Sequence, residues 1–144
     1  MSPKKTTLSM HLEYDHGLGE LTAYFDALRE GKALGSRCPS CGKVSVPPRF
    51  SCADDGAATE PHPLKGVGRI AGITHTRSTL PFADAAGDHA FVLIAMDCAD
   101  NLMFGRMAVG HDDVEVGAMV RLAGCEGESP HPAQAAVFKK DTAS

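Results

Sequence analysis

The chain has 144 residues, 43% of them apolar and 22% charged, with a formal charge of -4. This length suits one medium domain, or a small module attached to a core of roughly 80 residues. The negative charge, without a basic stripe, argues against a general nucleic-acid binder. No apolar run is long enough for a membrane span or a signal-peptide core, so a cytoplasmic protein is expected.

Residues 1 to 13 show no helical or strand period over their whole length. They are expected as an extended arm whose Leu12, with Tyr14 just beyond, packs on something. From Leu18 the pattern changes. Leu21, Tyr24, Phe25 and Leu28 follow i, i+3, i+4, i+7 and share one face of an amphipathic helix. Asp15 or Gly17 can start it, Glu20 and Arg29 suit its two ends through the helix dipole, and Gly31 stops it. The stripe reads as ordinary packing. A partner protein is the second candidate, because so short a helix ahead of a small module has little of its own chain to cover it.

Residues 37 to 56, RCPSCGKVSVPPRFSCADDG, carry the strongest chemical signal. Cys38 and Cys41 sit on one turn and Cys52 opens a second, in which Asp55 occupies the place of a fourth cysteine. Gly42 and Gly56 follow the two turns at equivalent positions, where a left-handed residue points backbone amides at the ligands. This is the spacing of a zinc ribbon. Cys38, Cys41, Cys52 and Asp55 make a candidate three-sulfur, one-oxygen set for a structural zinc ion. Asp54 and His62 are alternatives to Asp55, and a ribbon that has lost its metal and survives on hairpin packing is the plain alternative. Catalytic zinc is disfavoured because no adjacent His and Glu pattern supplies a base. A rubredoxin-type iron site would call for four thiolates.

Val44, Val46 and Phe50 supply strand residues around Pro47-Pro48, where a strand must end or lie at an edge. The proline-punctuated stretch AATEPHPLKG then reads as a link, with a boundary near Pro63 to Gly66. The expected organisation is an arm and helix at 1-31, the ribbon at 32-62 and a β domain at 63-144.

Beyond the link the signals are all β. Val67 to Thr76 reads as a long strand with bulges or sharp coiling at Gly68 and Gly72. Ala90 to Met96 is a buried strand, and Leu102 to Val109 its hairpin partner. Val114, Val116, Ala118, Val120 and Leu122 alternate at the strand period, and Ala135 to Lys139 gives a short last strand. Five such strands fit a small barrel of the OB type, with Pro81 to His89 as its long first loop; an antiparallel sandwich is the alternative. The fold class is therefore mainly β: an N-terminal helix, a rubredoxin-like ribbon and a five-stranded barrel. The five cysteines read as thiols, with Cys98 and Cys125 as small buried strand residues.

The order of parts resembles a known family. The motifs are Leu28-Arg29-Glu30-Gly31-Lys32, Arg37-Cys38-Pro39-Ser40-Cys41-Gly42, Val46-Pro47-Pro48-Arg49 with Cys52, and Val116-Gly117-Ala118-Met119-Val120 in the barrel. This series is similar to a family long catalogued as a domain of unknown function, a rubredoxin-like zinc ribbon fused to an acyl-CoA-associated OB-fold. The resemblance spans nearly the whole chain from about Leu12. It implies a non-catalytic subunit that accompanies thiolase-fold enzymes. Such subunits bridge thiolase and hydroxymethylglutaryl-CoA synthase, pair with thiolases in aromatic-compound degradation, or support thiolase-like aldolases in steroid side-chain breakdown. The small subunit helps form or cover the acyl-CoA site, and the partner supplies the nucleophilic cysteine. Asp55 departs from the family's usual fourth cysteine.

The residues themselves carry no nucleophile elbow, phosphate-binding glycine loop or paired His and Cys motif, and no catalytic residue is assigned. His75, His89 and His111 can meet at one barrel end, but each reads better as a surface or turn residue. Lys43 and Arg49 are candidates for contacts to CoA phosphates, with solvated surface cations the plainer reading. Two other function classes stand beside the subunit reading. One is a single-stranded nucleic-acid module, for which Phe82, Phe91, Phe104 and Phe138 are the available barrel aromatics. The other is a free acyl-CoA binding module.

Overall fold

The computed structural model describes residues 2–80 and 85–142. The chain enters through an arm without helix or strand and makes a short 3-10 turn over Gly19–Leu21. Helix α1 then spans Thr22–Arg29. It therefore starts later than Asp15 or Gly17, because the 3-10 turn takes up the first part of the apolar period. Gly31, at φ +71°, ends it as expected. Tyr24 and Leu28 are buried, and Leu21 and Phe25 pack at the edge of the same cluster. The helix thus finds its cover within the chain, against the first ribbon strand and the barrel wall beside it.

Three strands form the ribbon sheet: β1 Ala33–Arg37, β2 Val44–Ser45 and β3 Glu60–Leu64, in the order β2-β1-β3. The stretch expected to be a link is in part β3, paired antiparallel along the whole of β1 from Ala33–Leu64 to Arg37–Glu60. Pro61 and Pro63 do not prevent this, because β3 lies at the sheet edge, where a missing donor is tolerated. At Gly35 a Cβ would stand 2.6 Å from the Ser45 carbonyl oxygen, so only glycine lets β2 approach so closely.

The remaining strands are β4 Val67–Thr79, β5 Ala86–Met96, β6 Leu102–Met107, β7 Met119–Gly124 and β8 Val137–Lys140. They close a barrel in the order β4-β5-β6-β8-β7, with β6 and β8 parallel. The sandwich alternative is thereby set aside. The register of β4 on β5 slips between Ile70 and Gly72, the bulge that Gly72 signalled. Gly68 serves differently, by letting β5 lie close: a Cβ there would sit 2.5 Å from the Ala95 carbonyl oxygen.

Three expectations are corrected. Val114 to Ala118 is not strand. Gly117, at φ +93°, turns the chain and its amide bonds the Ile70 carbonyl, so β7 begins only at Met119. The last strand is preceded by a helical turn α2, Pro132–Ala135, in which the Ala133 amide donates to the His131 ring. In addition, Ala86 to His89 belongs to β5 rather than to a first loop; the rest of that loop, with Phe82, lies mostly outside the described residues.

The barrel core is built from alternate residues of β5 (Ala90, Val92, Ile94, Met96) with Met103, Met107, Val120 and Phe138. No helix among the described residues is long and apolar enough to cross a membrane.

Candidate metal centre

The two knuckles of the ribbon have the same backbone wiring. The Cys38 amide donates to the Lys43 carbonyl (2.9 Å) and the Gly42 amide returns to the Cys38 carbonyl (2.8 Å). In the second turn the Cys52 amide donates to the Ala57 carbonyl (2.8 Å) and the Gly56 amide to the Cys52 carbonyl (3.0 Å). Both turns need a left-handed residue at the same place, and Gly42 at φ +78° and Gly56 at φ +72° supply it. The symmetry brings Asp55 opposite Cys41, in the position a fourth thiolate would take.

One ligand atom from each of Cys38, Cys41, Cys52 and Asp55 lies within 4.8 Å of the others. The Cys41 and Cys52 sulfurs are 3.6 Å apart, too far for a disulfide, and the Cys38 sulfur is 3.6 Å from each Asp55 carboxylate oxygen. A tetrahedral ion with Zn–S near 2.3 Å and Zn–O near 2.0–2.2 Å places sulfurs about 3.8 Å apart and sulfur and oxygen about 3.6 Å apart. The cluster therefore fits such an ion. Cys38 and Cys52 are buried, while Cys41 and Asp55 face solvent.

The surrounding groups prepare the charged forms unevenly. The Cys41 amide, followed by that of Ser40 and the neighbouring thiols, holds the Cys38 thiol below its ordinary range. At Cys41 the Lys43 amide pulls downward, but burial and the thiols of Cys38 and Cys52 outweigh it and push the pKa up. Asp55 is held below the usual carboxylate range by the Ala57 amide (2.9 Å), helped by hydrogen bonds from Cys52 and Cys38.

The alternatives to Asp55 go elsewhere. Asp54 pairs with Lys43 across the two knuckles at 3.1 Å, which also raises the Lys43 pKa. His62 lies on β3 opposite Gly35. Arg49 is fixed through its backbone amide on the Ser36 hydroxyl (2.8 Å). The three histidines do not form a cluster among the described residues: His75 lies opposite Ala90, His89 opposite Thr76, and the His111 ring accepts from the Lys140 amide. Cys98 is exposed in the β5–β6 turn at φ +68°, not buried in a strand, and Cys125 lies half-buried just beyond β7; all five thiols are free.

Two groups of residues went unread in the sequence. Asp100 and Asn101, at the tip of the β5–β6 hairpin, clip the ribbon to the barrel. The Asp100 carboxylate accepts from the Val44 amide (2.7 Å), and the Asp100 amide donates to the Val44 carbonyl (2.9 Å). The Asn101 amide side chain brackets Val46 at both its N–H and its carbonyl, each at 2.9 Å. The second group is the buried Arg106. It donates to the carbonyls of Ala133 (2.8 Å) and Met107 (3.1 Å) and pairs with Glu126, pinning the 125–135 segment to the barrel. The Asp-Asn composition of the hairpin signals a turn, but nothing in it points to the ribbon.

Residues 25–60 match the family model described as the ChsH2 rubredoxin-like zinc ribbon domain. No curated protein matches the chain. Among solved structures, a chain of the "Ltp2-ChsH2(DUF35) aldolase" superposes with a TM-score of 0.62 at 15% identity, covering 88% of this chain and 98% of that one. A DUF35-family protein of unknown function from Sulfolobus solfataricus gives a TM-score of 0.60 at 20% identity, covering 83% of each chain. The resemblance carried by the cysteine and proline-arginine motifs is thereby borne out: residues 25–60 match a rubredoxin-like zinc ribbon, on a chain with the fold of the DUF35 structures.

Proposed function

We propose that this chain is a non-catalytic accessory subunit of a thiolase-type acyl-CoA enzyme, organising the complex and helping to form or cover the acyl-CoA site. The observation that carries the proposal is the ribbon-and-barrel likeness, over most of the chain, to a component of an aldolase whose name joins two proteins. In this reading the partner is a thiolase-fold protein that supplies the nucleophile, and the CoA ester lies at the interface. The division into arm and helix (1-31), ribbon (32-62) and barrel (63-144) belongs to the same proposal, as does a cytoplasmic location.

A structural zinc ion would be held by Cys38, Cys41, Cys52 and Asp55. Bound there, it would tie together two knuckles, each closed on its own pair of backbone hydrogen bonds and joined across by the Lys43–Asp54 pair. Three thiolates and one carboxylate carry the same charge as four thiolates, with one harder ligand. Lys43, already paired to Asp54, offsets part of that charge.

One observation favours a second reading. Phe91 and Phe104 stack at 5.8 Å on adjacent strands of the barrel, a platform of the kind that takes unpaired bases. Against it stand the net charge of -4 and the engagement of Arg77 with Asp88 and of Arg106 with Glu126. A gel shift of single-stranded oligonucleotide at low salt decides between them, and the subunit reading expects none. The direct test of that reading is acyl-CoA carbon–carbon bond chemistry, assayed for the partner alone, this chain alone and the two together. Activity is expected only in the mixture, or far above the partner alone; full activity of the partner by itself contradicts the proposal.

A further inference from the structure

Residues 2–18 form an arm outside every helix and strand. Within it, Leu8-Ser9-Met10-His11-Leu12-Glu13-Tyr14 alternates apolar and polar side chains. Laid out as a strand against a surface, this stretch puts Leu8, Met10, Leu12 and Tyr14 on one side, and Ser9, His11 and Glu13 on the other. The apolar side is covered by nothing in the single chain, with Leu8, Met10, Leu12 and Tyr14 exposed by 80%, 79%, 81% and 75%. The expectation that Leu12 and Tyr14 pack is thus unmet within one copy.

The body of the same chain carries an uncovered apolar face. Leu93 lies opposite Phe104 and Ala95 opposite Leu102 on the outer side of β5 and β6. Leu93, Leu102 and Phe104 remain 41%, 48% and 40% exposed where the alternation predicts polar residues. Gly72 leaves the sheet open beside Leu93. Phe104 continues the face into a cavity of about 200 Å³ between α1 and α2, whose walls include Leu21, Phe25, Pro47 and Pro132 and no charged side chain. Of the ten large hydrophobics exposed among the described residues, four form the arm's comb and three this face. Exposed apolar surface is thus concentrated in two features of matching character.

We propose that the chain self-associates by reciprocal arm exchange: residues 8 to 14 of one copy lie across the β5–β6 face and cavity mouth of a second copy. Both halves of the contact are on one chain, so a two-fold arrangement uses each once and closes. Four side chains at alternate positions span about 20 Å of extended backbone, the length of an ordinary strand. Neither half carries a charge that the contact would strip of water, and Ser9, His11 and Glu13 stay on the solvent side.

The test is sedimentation velocity of the purified full chain over about 1 to 100 µM, a range that reveals dimers of micromolar affinity. A reversible dimer is expected. Leu8→Asp combined with Leu12→Asp should weaken it by at least about tenfold with an unchanged melting curve, since the arm supports nothing in its own copy. Phe104→Asp should weaken it similarly. A labelled peptide of residues 2–18 should bind the doubly substituted chain saturably. A monomer at every concentration overturns the proposal, whether its arm is free or protected from amide exchange by its own body. So does a dimer that both substitutions leave equally tight.

Discussion

At the scale of the residue, Asp55 carries the most specific claim. The carboxylate stands where a thiolate would close the ribbon, 3.6 Å from the Cys38 sulfur, and the Ala57 amide holds it below the usual carboxylate range. Asp55→Ala should weaken zinc binding by more than the roughly 10–100-fold typical of losing an outer-shell partner, read by competition with a chromogenic chelator. Asp55→Cys should preserve or tighten it. Equal zinc affinity in Asp55→Ala and the parent would remove Asp55 from the site. Tyr24 offers a second test at this scale. Burial, then the nearby Cys125, raises its pKa, so the folded chain keeps the phenol proton longer than the unfolded chain does. The resulting stability is complete below about pH 10, the ordinary tyrosine value, and is lost as pH rises beyond it toward the folded-state value. Tyr24→Phe should flatten that alkaline decline in urea titrations at successive pH values; an unchanged slope would show that another group causes it.

At the scale of elements, the tie between ribbon and barrel rests on the β5–β6 hairpin tip. Val46 is fully buried, and its two backbone groups are satisfied by one side chain, Asn101. Asn101→Ala leaves a buried donor and acceptor unmade, at a cost of about 1–3 kcal/mol. The Val46 amide should then exchange faster with solvent, while amides of β5 and β7 keep their protection. Uniform loss of protection would mean that the ribbon and the barrel unfold as one unit. What the sequence reveals differs between these elements for physical reasons. The knuckles are legible because both turns are local and each carries its own glycine, so position 55 follows from the symmetry of Cys38–Gly42 and Cys52–Gly56. The inner face of β5 is legible from strict alternation. The Asn101 clip is not, because it joins residues 55 positions apart and neither partner announces the other. Arg106 hides for another reason. It occupies an outward strand position, where arginine ordinarily meets water, and only the fold of the 125–135 segment over it makes it buried. Alternation misleads at Val114–Ala118, where Gly117 turns the chain and the same spacing lies in a loop.

At the scale of the whole molecule, a ribbon is clipped to a barrel, α1 packs on β1 of the ribbon and touches the barrel at β7, and seven of the ten large exposed apolar side chains among the described residues lie in an arm and on one outer sheet face. That arrangement suits a protein whose work is done in contact with other protein. The most direct measurement is stoichiometric co-purification: the tagged full chain is recovered from its own cells, and partners are identified and counted by native mass spectrometry. A thiolase-fold protein in near-equal amount is the predicted result, with its loss on chelation of zinc if the ribbon holds part of the interface. Recovery of the chain alone, or with nucleic acid that nuclease removes, would contradict the account.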